Sequence, residues 1–177
     1  MSDSKSELHG TVMNIVHELE AAASGTLYLI GDNCEIIDDI ENWKKEQHRK
    51  MADEFRKENP EDKFCPDDVG LDTYEEWMEI EIGTPDDVDE PDAVSVIEYI
   101  ERNSLGDVRF EVDGDLDLEG GKVLFCYGGP NIWVHDDCVC GYWGCDTVEI
   151  SLDSEVRGEI YAWLEEMWEM KKELISR

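Results

Sequence analysis

The stretch GKVLFCYGGPNIWVHDDCVCGYWGCDTVEISL, residues 121–152, contains the alternation and the turn residues that decide the fold. Apolar and polar residues alternate in NIWVH and TVEISL, and GKVLFCY is an almost continuous apolar run, as expected for half-buried and buried strands. Glycine, proline and aspartate separate these runs. Together with DVRFEVD, which begins at Asp107, the stretch predicts five strands in an antiparallel meander.

Helical spacing of apolar residues flanks this predicted sheet. Residues 153–174 predict a helix with a broad apolar stripe that covers one face of the sheet, and Asp153 or Ser154 is a suitable N-cap. Earlier in the chain, we predict a hairpin at 26–38 and helices at 7–23, 40–59 and 92–103. The fold class is therefore α+β, an antiparallel meander of about four to five strands packed against helices, with an acidic N-terminal half of helices and loops.

The chain of 177 residues is expected to form a single domain in three parts. Residues 1–63 contain a helix, a hairpin and a helix rich in basic residues, and residues 64–103 form an acidic segment. Residues 104–177 contain the antiparallel sheet and the C-terminal helix.

The charge of the chain restricts its partners. There are 46 acidic and 15 basic residues, a formal net charge of −31, and residues 64–101 contain 14 carboxylates without a lysine or arginine. Such a surface repels DNA, RNA and anionic membranes, so we expect neither nucleic-acid nor membrane binding, and a partner with a basic surface. Because 41% of the residues are hydrophobic and six are tryptophan, the chain is expected to fold despite its charge.

The sequence begins MSDSKSELHG, without a cationic and apolar signal sequence, and no apolar run approaches the roughly 20 residues that span a bilayer. We therefore expect the protein in the cytoplasm, with its six cysteines reduced.

Four of the six cysteines lie between residues 126 and 145 and could indicate a metal site. A two-residue loop at Asp136 and Asp137 predicts a hairpin. In the register that this loop sets, Ile132, Val134 and Val139 lie on one face of the sheet, and Trp133, His135, Cys138, Cys140 and Tyr142 on the other. However, side chains two residues apart leave a straight strand roughly 6.5–7 Å apart, whereas zinc requires sulfurs about 2.3 Å from one ion. We therefore predict a thiol-lined sheet face without metal or cofactor; the alternatives are zinc binding by Cys138, Cys140 and Cys145, and redox chemistry of the thiols.

No catalytic motif is found. The sequence lacks a P-loop, G-x-S-x-G, H-E-x-x-H and G-x-G-x-x-G. Asp113, Asp115 and Asp117 begin like a calcium loop, but its sixth position is Leu118 rather than glycine and its twelfth is Leu124 rather than glutamate. We therefore expect a protein that is not an enzyme.

The blocks SVIEYIERNSLGDVRFEVDGD, GGKVLFCYGGPNIWVHDD and VCGYWGCDTVEISL, with the acidic aromatic helix that follows, resemble a group of small acidic proteins from phages and mobile elements of gut Firmicutes. In that group, a GGPNIW turn followed by a GYWG strand is associated with candidate anti-CRISPR proteins, which inhibit the type II RNA-guided nuclease. The resemblance covers about residues 94–170, and the clustered cysteines depart from the group's pattern. It implies an inhibitor that acts in the cytoplasm of a host bacterium.

An acidic protein could occupy the positively charged channel in which such a nuclease, loaded with its guide, holds nucleic acid, and so block DNA binding or cleavage. The expected partner-binding carboxylates are Asp67, Asp68, Asp86, Asp87, Asp89, Glu90, Asp92, Asp113, Asp115 and Asp117. Three alternatives remain open: a DNA mimic that inhibits restriction enzymes or another basic protein, a scaffold whose acidity only aids solvation, and a zinc-binding regulatory protein. The sequence also leaves a homodimer open.

Overall fold

The computed structural model describes residues 3–61 and 73–175. They form five α-helices and two antiparallel sheets, which confirms the predicted α+β class with a strand meander. The helices are α1 (Asp3–Ala23), α2 (Ile40–Glu58), α3 (Tyr74–Ile82), α4 (Val96–Asn103) and α5 (Ser154–Ile175). The strands are β1 (Leu27–Ile30), β2 (Asn33–Ile36), β3 (Asp92–Ala93), β4 (Val108–Val112), β5 (Leu118–Cys126), β6 (Asn131–His135), β7 (Cys138–Trp143) and β8 (Asp146–Ser151).

The chain forms two compact units. Unit 1 comprises Met1–Ile36 and Ala93–Arg177, and unit 2 comprises Ile37–Asp92.

The five-stranded sheet of unit 1 has the order β4-β5-β6-β7-β8, a meander in which each strand pairs with the next along the chain. The predicted hairpin of β6 and β7 is confirmed, with Trp133 opposite Cys140 and Val134 opposite Val139. In the turn that precedes β6, Gly128 has a φ of 91°, a conformation that glycine adopts without steric cost.

Helices α1 and α5 cover one face of this sheet and contact each other, and α4 packs against both helices. The sequence predicted α5 in this position, and its cap is confirmed because Asp153 Oδ1 accepts hydrogen bonds from the amides of Glu155 and Val156. Helix α1 shares the face by packing on β7 and β8. The fully buried side chains at the centre of this core include Leu8, Leu19, Ile100, Ile132, Val139, Ile160 and Leu164.

The three-stranded sheet has the order β2-β1-β3. Its β1–β2 hairpin was predicted and pairs Leu27 with Ile36. Beyond β3, the amide of Val94 donates to the carbonyl of Leu27 over 2.8 Å. The prediction of a helix from residue 92 was therefore wrong at its start. Ser95 caps α4 by a reciprocal pair of hydrogen bonds with Glu98, so the helix begins at Val96.

Unit 2 contains α2, α3 and a 3₁₀ turn at Pro85–Asp87. The aromatic rings of Phe55, Tyr74 and Trp77 pack together, with centroids 5.0–6.1 Å apart. The predicted helix at residues 40–59 is present as α2, in which Met51 is 40% exposed and Ala52 is buried.

None of the described helices combines the length and the apolar character that a membrane span requires.

Candidate functional site

The carboxylates of residues 86–92 lie on the surface of unit 2, where two of them hold the backbone in place. Asp87 Oδ2 accepts hydrogen bonds from the amide and the hydroxyl of Thr84, at 2.8 and 2.7 Å. These two hydrogen bonds hold the pKa of Asp87 below its ordinary value. Glu90 forms an ion pair with Lys44 of α2, with 2.7 Å between Nζ and Oε1. The segment is thus tied to α2 and to its own 3₁₀ turn.

Asp86 and Asp89 differ from these two residues in their surroundings. Both are exposed, and neither side chain has a hydrogen bond or ion pair within residues 3–61 and 73–175. Asp92 is exposed as well, in β3. A partner could therefore contact Asp86 and Asp89 without breaking an interaction that holds the turn together.

The carboxylates of residues 113–117 lie in unit 1, in the loop between β4 and β5. Asp113 Oδ1 accepts from the amides of Asp115 and Asp117, both at 2.9 Å. Asp113 therefore shapes the loop, whereas the side chains of Asp115 and Asp117 are exposed. The remaining two predicted residues, Asp67 and Asp68, lie outside the part of the chain that the structure describes.

Both units carry the excess of acid. Unit 1 contains 25 acidic and eight basic residues, and unit 2 contains 21 acidic and seven basic residues. Several basic side chains are matched by a nearby carboxylate, as in Arg109 with Asp107 and Lys122 with Glu111. Each unit by itself is therefore attracted to a basic surface.

A polar cleft of about 380 Å³ in unit 1 lies between α1, α4 and the β1–β2 hairpin, and is lined in part by Glu18, Cys34, Tyr99 and Arg102. The hydroxyl of Tyr99 donates to the carboxylate of Glu18. Burial and this carboxylate raise the pKa of Tyr99 far above its ordinary value, and burial also raises the pKa of Cys34. Burial thus favours the protonated form of both groups.

The face of the five-stranded sheet opposite the core, here called the outer face, carries the predicted set of aromatic, histidine and cysteine residues. The guanidinium of Arg109 lies 4.4 Å and the ammonium of Lys122 5.6 Å from the centroid of a Trp133 ring, within cation–π range. Beside Trp133, Cys138 and Cys140 are buried even though they do not belong to the core of unit 1.

The spacing along a straight strand predicted that the sulfurs of Cys138 and Cys140 lie too far apart to share one metal ion, and this expectation is wrong. The Sγ atoms of Cys138 and Cys140 lie 3.5 Å apart, because the side chains converge from backbone positions that are more widely separated. Cys140 Sγ is also 3.7 Å from Glu149 Oε2 on β8. Cys145, which belonged to the predicted alternative, is exposed and lies in neither group of potential metal ligands among the described residues.

Two such groups are present on the outer face, and they share Cys138. One consists of Cys138, Cys140 and Glu149, and the other of His135, Asp137 and Cys138; within each group the ligand atoms lie within 4.8 Å of one another. Burial is the main cause that raises the pKa of both thiols, so they are protonated at neutral pH. Burial, and then the charge of Lys122, lowers the pKa of His135, which favours the neutral form of its imidazole.

Three exposed aromatic residues lie at one end of the sheet, where β5 and β7 end. Tyr127 is 75% exposed, and Tyr142 and Trp143 are each 41% exposed. Tyr142 pairs with Asn131 in the GGPNIW turn region, and Trp143 pairs with Asp146.

Comparison with known proteins does not assign this chain to a family. No protein-family model matches the sequence, and neither a curated protein nor a solved structure matches it.

Proposed function

We propose that this protein is a non-enzymatic inhibitor that binds the basic nucleic-acid channel of a guide-loaded type II RNA-guided nuclease and blocks DNA binding or cleavage. The observation that carries the proposal is the pair of exposed carboxylates, Asp86 and Asp89, on a segment held by Asp87 and Glu90. This pair belongs to a stretch, residues 64–101, without lysine or arginine.

Anchored carboxylates favour binding for an entropic reason. A loop that is already held in one conformation loses less freedom on binding, so more of the interaction energy contributes to affinity. The large negative charge adds long-range attraction to a cationic channel, which can raise association rates by about 10- to 1,000-fold. Rapid association suits an inhibitor that must reach the nuclease before DNA does.

The aromatic end of the sheet offers a second kind of contact. Tyrosine and tryptophan are enriched at the centres of protein interfaces, because a rigid ring contributes a large area at a low entropic cost. Tyr127, Tyr142 and Trp143 belong to the motif region on which the resemblance rests. We propose that they contact the nuclease through apolar surface, which salt does not weaken.

The nature of the partner rests on the resemblance of residues 94–170 to candidate anti-CRISPR proteins. The charge alone also fits a restriction enzyme or another protein with a basic DNA-binding surface. A direct assay separates these two partners.

The test is DNA cleavage by a purified, guide-loaded type II nuclease, with the protein added either before or after the DNA. We expect inhibition when the protein is added first, and weaker inhibition at higher salt, because screening shortens the range of the attraction. Unimpaired cleavage at low salt with the protein in excess would contradict the nuclease as the partner. Affinity capture from a bacterial lysate, followed by elution with salt, would then test for another basic DNA-binding protein.

A further inference from the structure

We propose that Cys138, Cys140 and Glu149 on the outer face form a binding site for a divalent metal ion of the zinc class, with His135 as the fourth ligand. The site lies on β6, β7 and β8 and contains none of the carboxylates assigned to partner binding. It therefore goes beyond the proposed inhibition and does not depend on it.

The distances between the potential ligand atoms fit one ion. Zinc bonds of about 2.3 Å to sulfur and 2.0–2.2 Å to carboxylate oxygen, at tetrahedral angles, place two sulfurs about 3.8 Å apart and sulfur and oxygen about 3.5 Å apart. The corresponding distances are 3.5 Å from Cys138 Sγ to Cys140 Sγ and 3.7 Å from Cys140 Sγ to Glu149 Oε2. An ion thus needs only small side-chain movements to bind all three residues.

The sheet holds these three residues in place. Cys138 and Cys140 are separated by one residue on β7, and Cys140 pairs directly with Glu149 on β8. Ligands on neighbouring strands are positioned by the hydrogen bonds of the ladder, so little conformational freedom is lost when they converge on an ion. Both cysteines are buried, whereas Glu149 is exposed and leaves a path by which an ion can enter.

His135 is the nearest nitrogen ligand. It stands at the end of β6, across the Asp136–Asp137 loop from Cys138, and one of its ring nitrogens lies within 4.8 Å of Cys138 Sγ. Rotation of its side chain would bring this nitrogen towards an ion between the two sulfurs. Asp137, the other member of that group, is exposed and can instead accept a hydrogen bond from the imidazole, as carboxylates do beside many zinc-bound histidines.

The types of ligand select the metal. Two thiolates and an imidazole favour zinc over magnesium and calcium, which prefer oxygen ligands. Each thiol releases its proton to the buffer as its sulfur binds the ion, because thiolate is the binding form. Two thiolates and one carboxylate then neutralise the charge of the ion and leave one negative charge on the site.

Cobalt titration tests the site, since Co²⁺ occupies tetrahedral zinc sites and absorbs strongly when thiolate binds it. The protein is purified without added metal, treated with a chelator, kept reduced with a phosphine, and titrated first with Co²⁺ and then with Zn²⁺. We expect thiolate–cobalt absorption that saturates at one equivalent and disappears when Zn²⁺ is added. Native mass spectrometry should then show one bound zinc ion.

Variants locate the site. Cys138→Ser and Cys140→Ser should each weaken Zn²⁺ binding by at least about 10-fold. Cys145→Ser is the matched control: it removes an exposed thiol from the same hairpin region and should leave binding unchanged. Glu149→Gln, at an exposed position that should tolerate the change, should also weaken binding, and circular dichroism checks that each variant is folded.

Two results would overturn the proposal. One is the absence of thiolate–cobalt absorption and of retained zinc in the reduced wild-type protein. The other is binding that persists unchanged in folded Cys140→Ser and Glu149→Gln but is lost in Cys145→Ser, which would place the metal elsewhere.

Discussion

Gly141 of β7 lies against Leu8 of α1, so closely that a Cβ atom at Gly141 would come 2.7 Å from Leu8 Cδ1. The same Cβ atom would also come 2.7 Å from Cγ2 of Val12. Leu8 and Val12 are completely buried, so α1 packs on the sheet at a distance that the absence of a side chain at position 141 allows.

Gly141→Ala should destabilise the protein. The added methyl group meets two buried side chains, and overpacking of this kind typically costs about 1–3 kcal/mol. Urea denaturation should show a lower midpoint. Gly10→Ala is the matched control within α1, because nothing lies within 4 Å of its Cβ position. Replacing a glycine inside a helix with alanine should stabilise the protein by about 0.5–1 kcal/mol. Equal stability of Gly141→Ala and wild type would contradict the close packing of α1 on β7.

Tyr99→Phe should also lower stability. The hydroxyl of the buried Tyr99 connects α4 with Glu18 of α1, and its removal leaves the half-buried carboxylate without this donor. The loss of a hydrogen bond to a charged group costs about 1.5–3 kcal/mol. Denaturation by urea again provides the measurement. Tyr28→Phe, on the half-buried β1, serves as a control for removal of a tyrosine hydroxyl. If Tyr99→Phe lowers stability no more than this control does, the hydrogen bond between Tyr99 and Glu18 does not stabilise the fold.

The cap of α4 should make a pH-dependent contribution to stability. The amide and hydroxyl of Ser95 donate to Glu98 and hold its pKa below the ordinary value. The contribution is therefore fully present above the pKa of the unfolded chain, about 4.3, and is lost as the pH falls through the lower folded-state pKa.

The measurement is the free energy of unfolding of wild type and Glu98→Gln between pH 3 and 7. The difference between the two proteins removes the general effect of protonating the other carboxylates, which reduces charge repulsion. We expect wild type to be the more stable above the unfolded-state pKa, and the advantage to decrease towards acid. An advantage that increases towards acid would show that the folded protein raises the pKa of Glu98 and does not lower it.

Reversal of charge at Asp86 and Asp89 should weaken partner binding. The double variant Asp86→Lys/Asp89→Lys removes two exposed carboxylates that make no hydrogen bond or ion pair within residues 3–61 and 73–175. We expect the affinity for the guide-loaded nuclease to fall at least about 10-fold and the salt dependence to become shallower, because fewer ionic contacts remain.

Glu166→Lys/Glu173→Lys is the control, since it makes the same change in net charge at exposed positions of α5. Binding of wild type and both double variants to surface-immobilised nuclease is measured at two salt concentrations. If both double variants weaken binding equally, the total charge rather than the 86–92 segment is responsible. If only the control weakens it, the segment does not contact the partner.

The five-stranded meander was predictable because its signals are local. Alternation with a period of two determines which side chains share a face, and Asp136 and Asp137 set the register between β6 and β7. In contrast, α3 was not predicted, although Tyr74, Trp77 and Met78 have the spacing of one helix face. The sequence contains a second signal for it: Thr73 and Glu76 are spaced as a capping box, and both hydrogen bonds of that box are present.

The candidate sites were predictable to different extents. Exposed acids in a segment without basic residues can be recognised from the sequence, but the roles of Asp87, Glu90 and Asp113 as structural acceptors depend on which donors the folded chain brings to them. The distance that was expected from the sequence between the two sulfurs was wrong for a related reason, whereas the absence of a metal stays a prediction. The spacing of Cys138 and Cys140 along a straight strand does not include the side-chain torsions that bring their sulfurs together.

The sequence by itself determined the α+β class, the meander, the face shared by His135, Cys138 and Cys140, and the strong negative charge, because periodicity and composition are properties of the chain. Only the tertiary structure decided that α1 packs on β7 at Gly141, that Tyr142 and Trp143 remain exposed, and that two sulfurs and a carboxylate converge. These features depend on contacts between residues that are distant in the chain, and on side-chain torsions, which the packing of the folded protein selects.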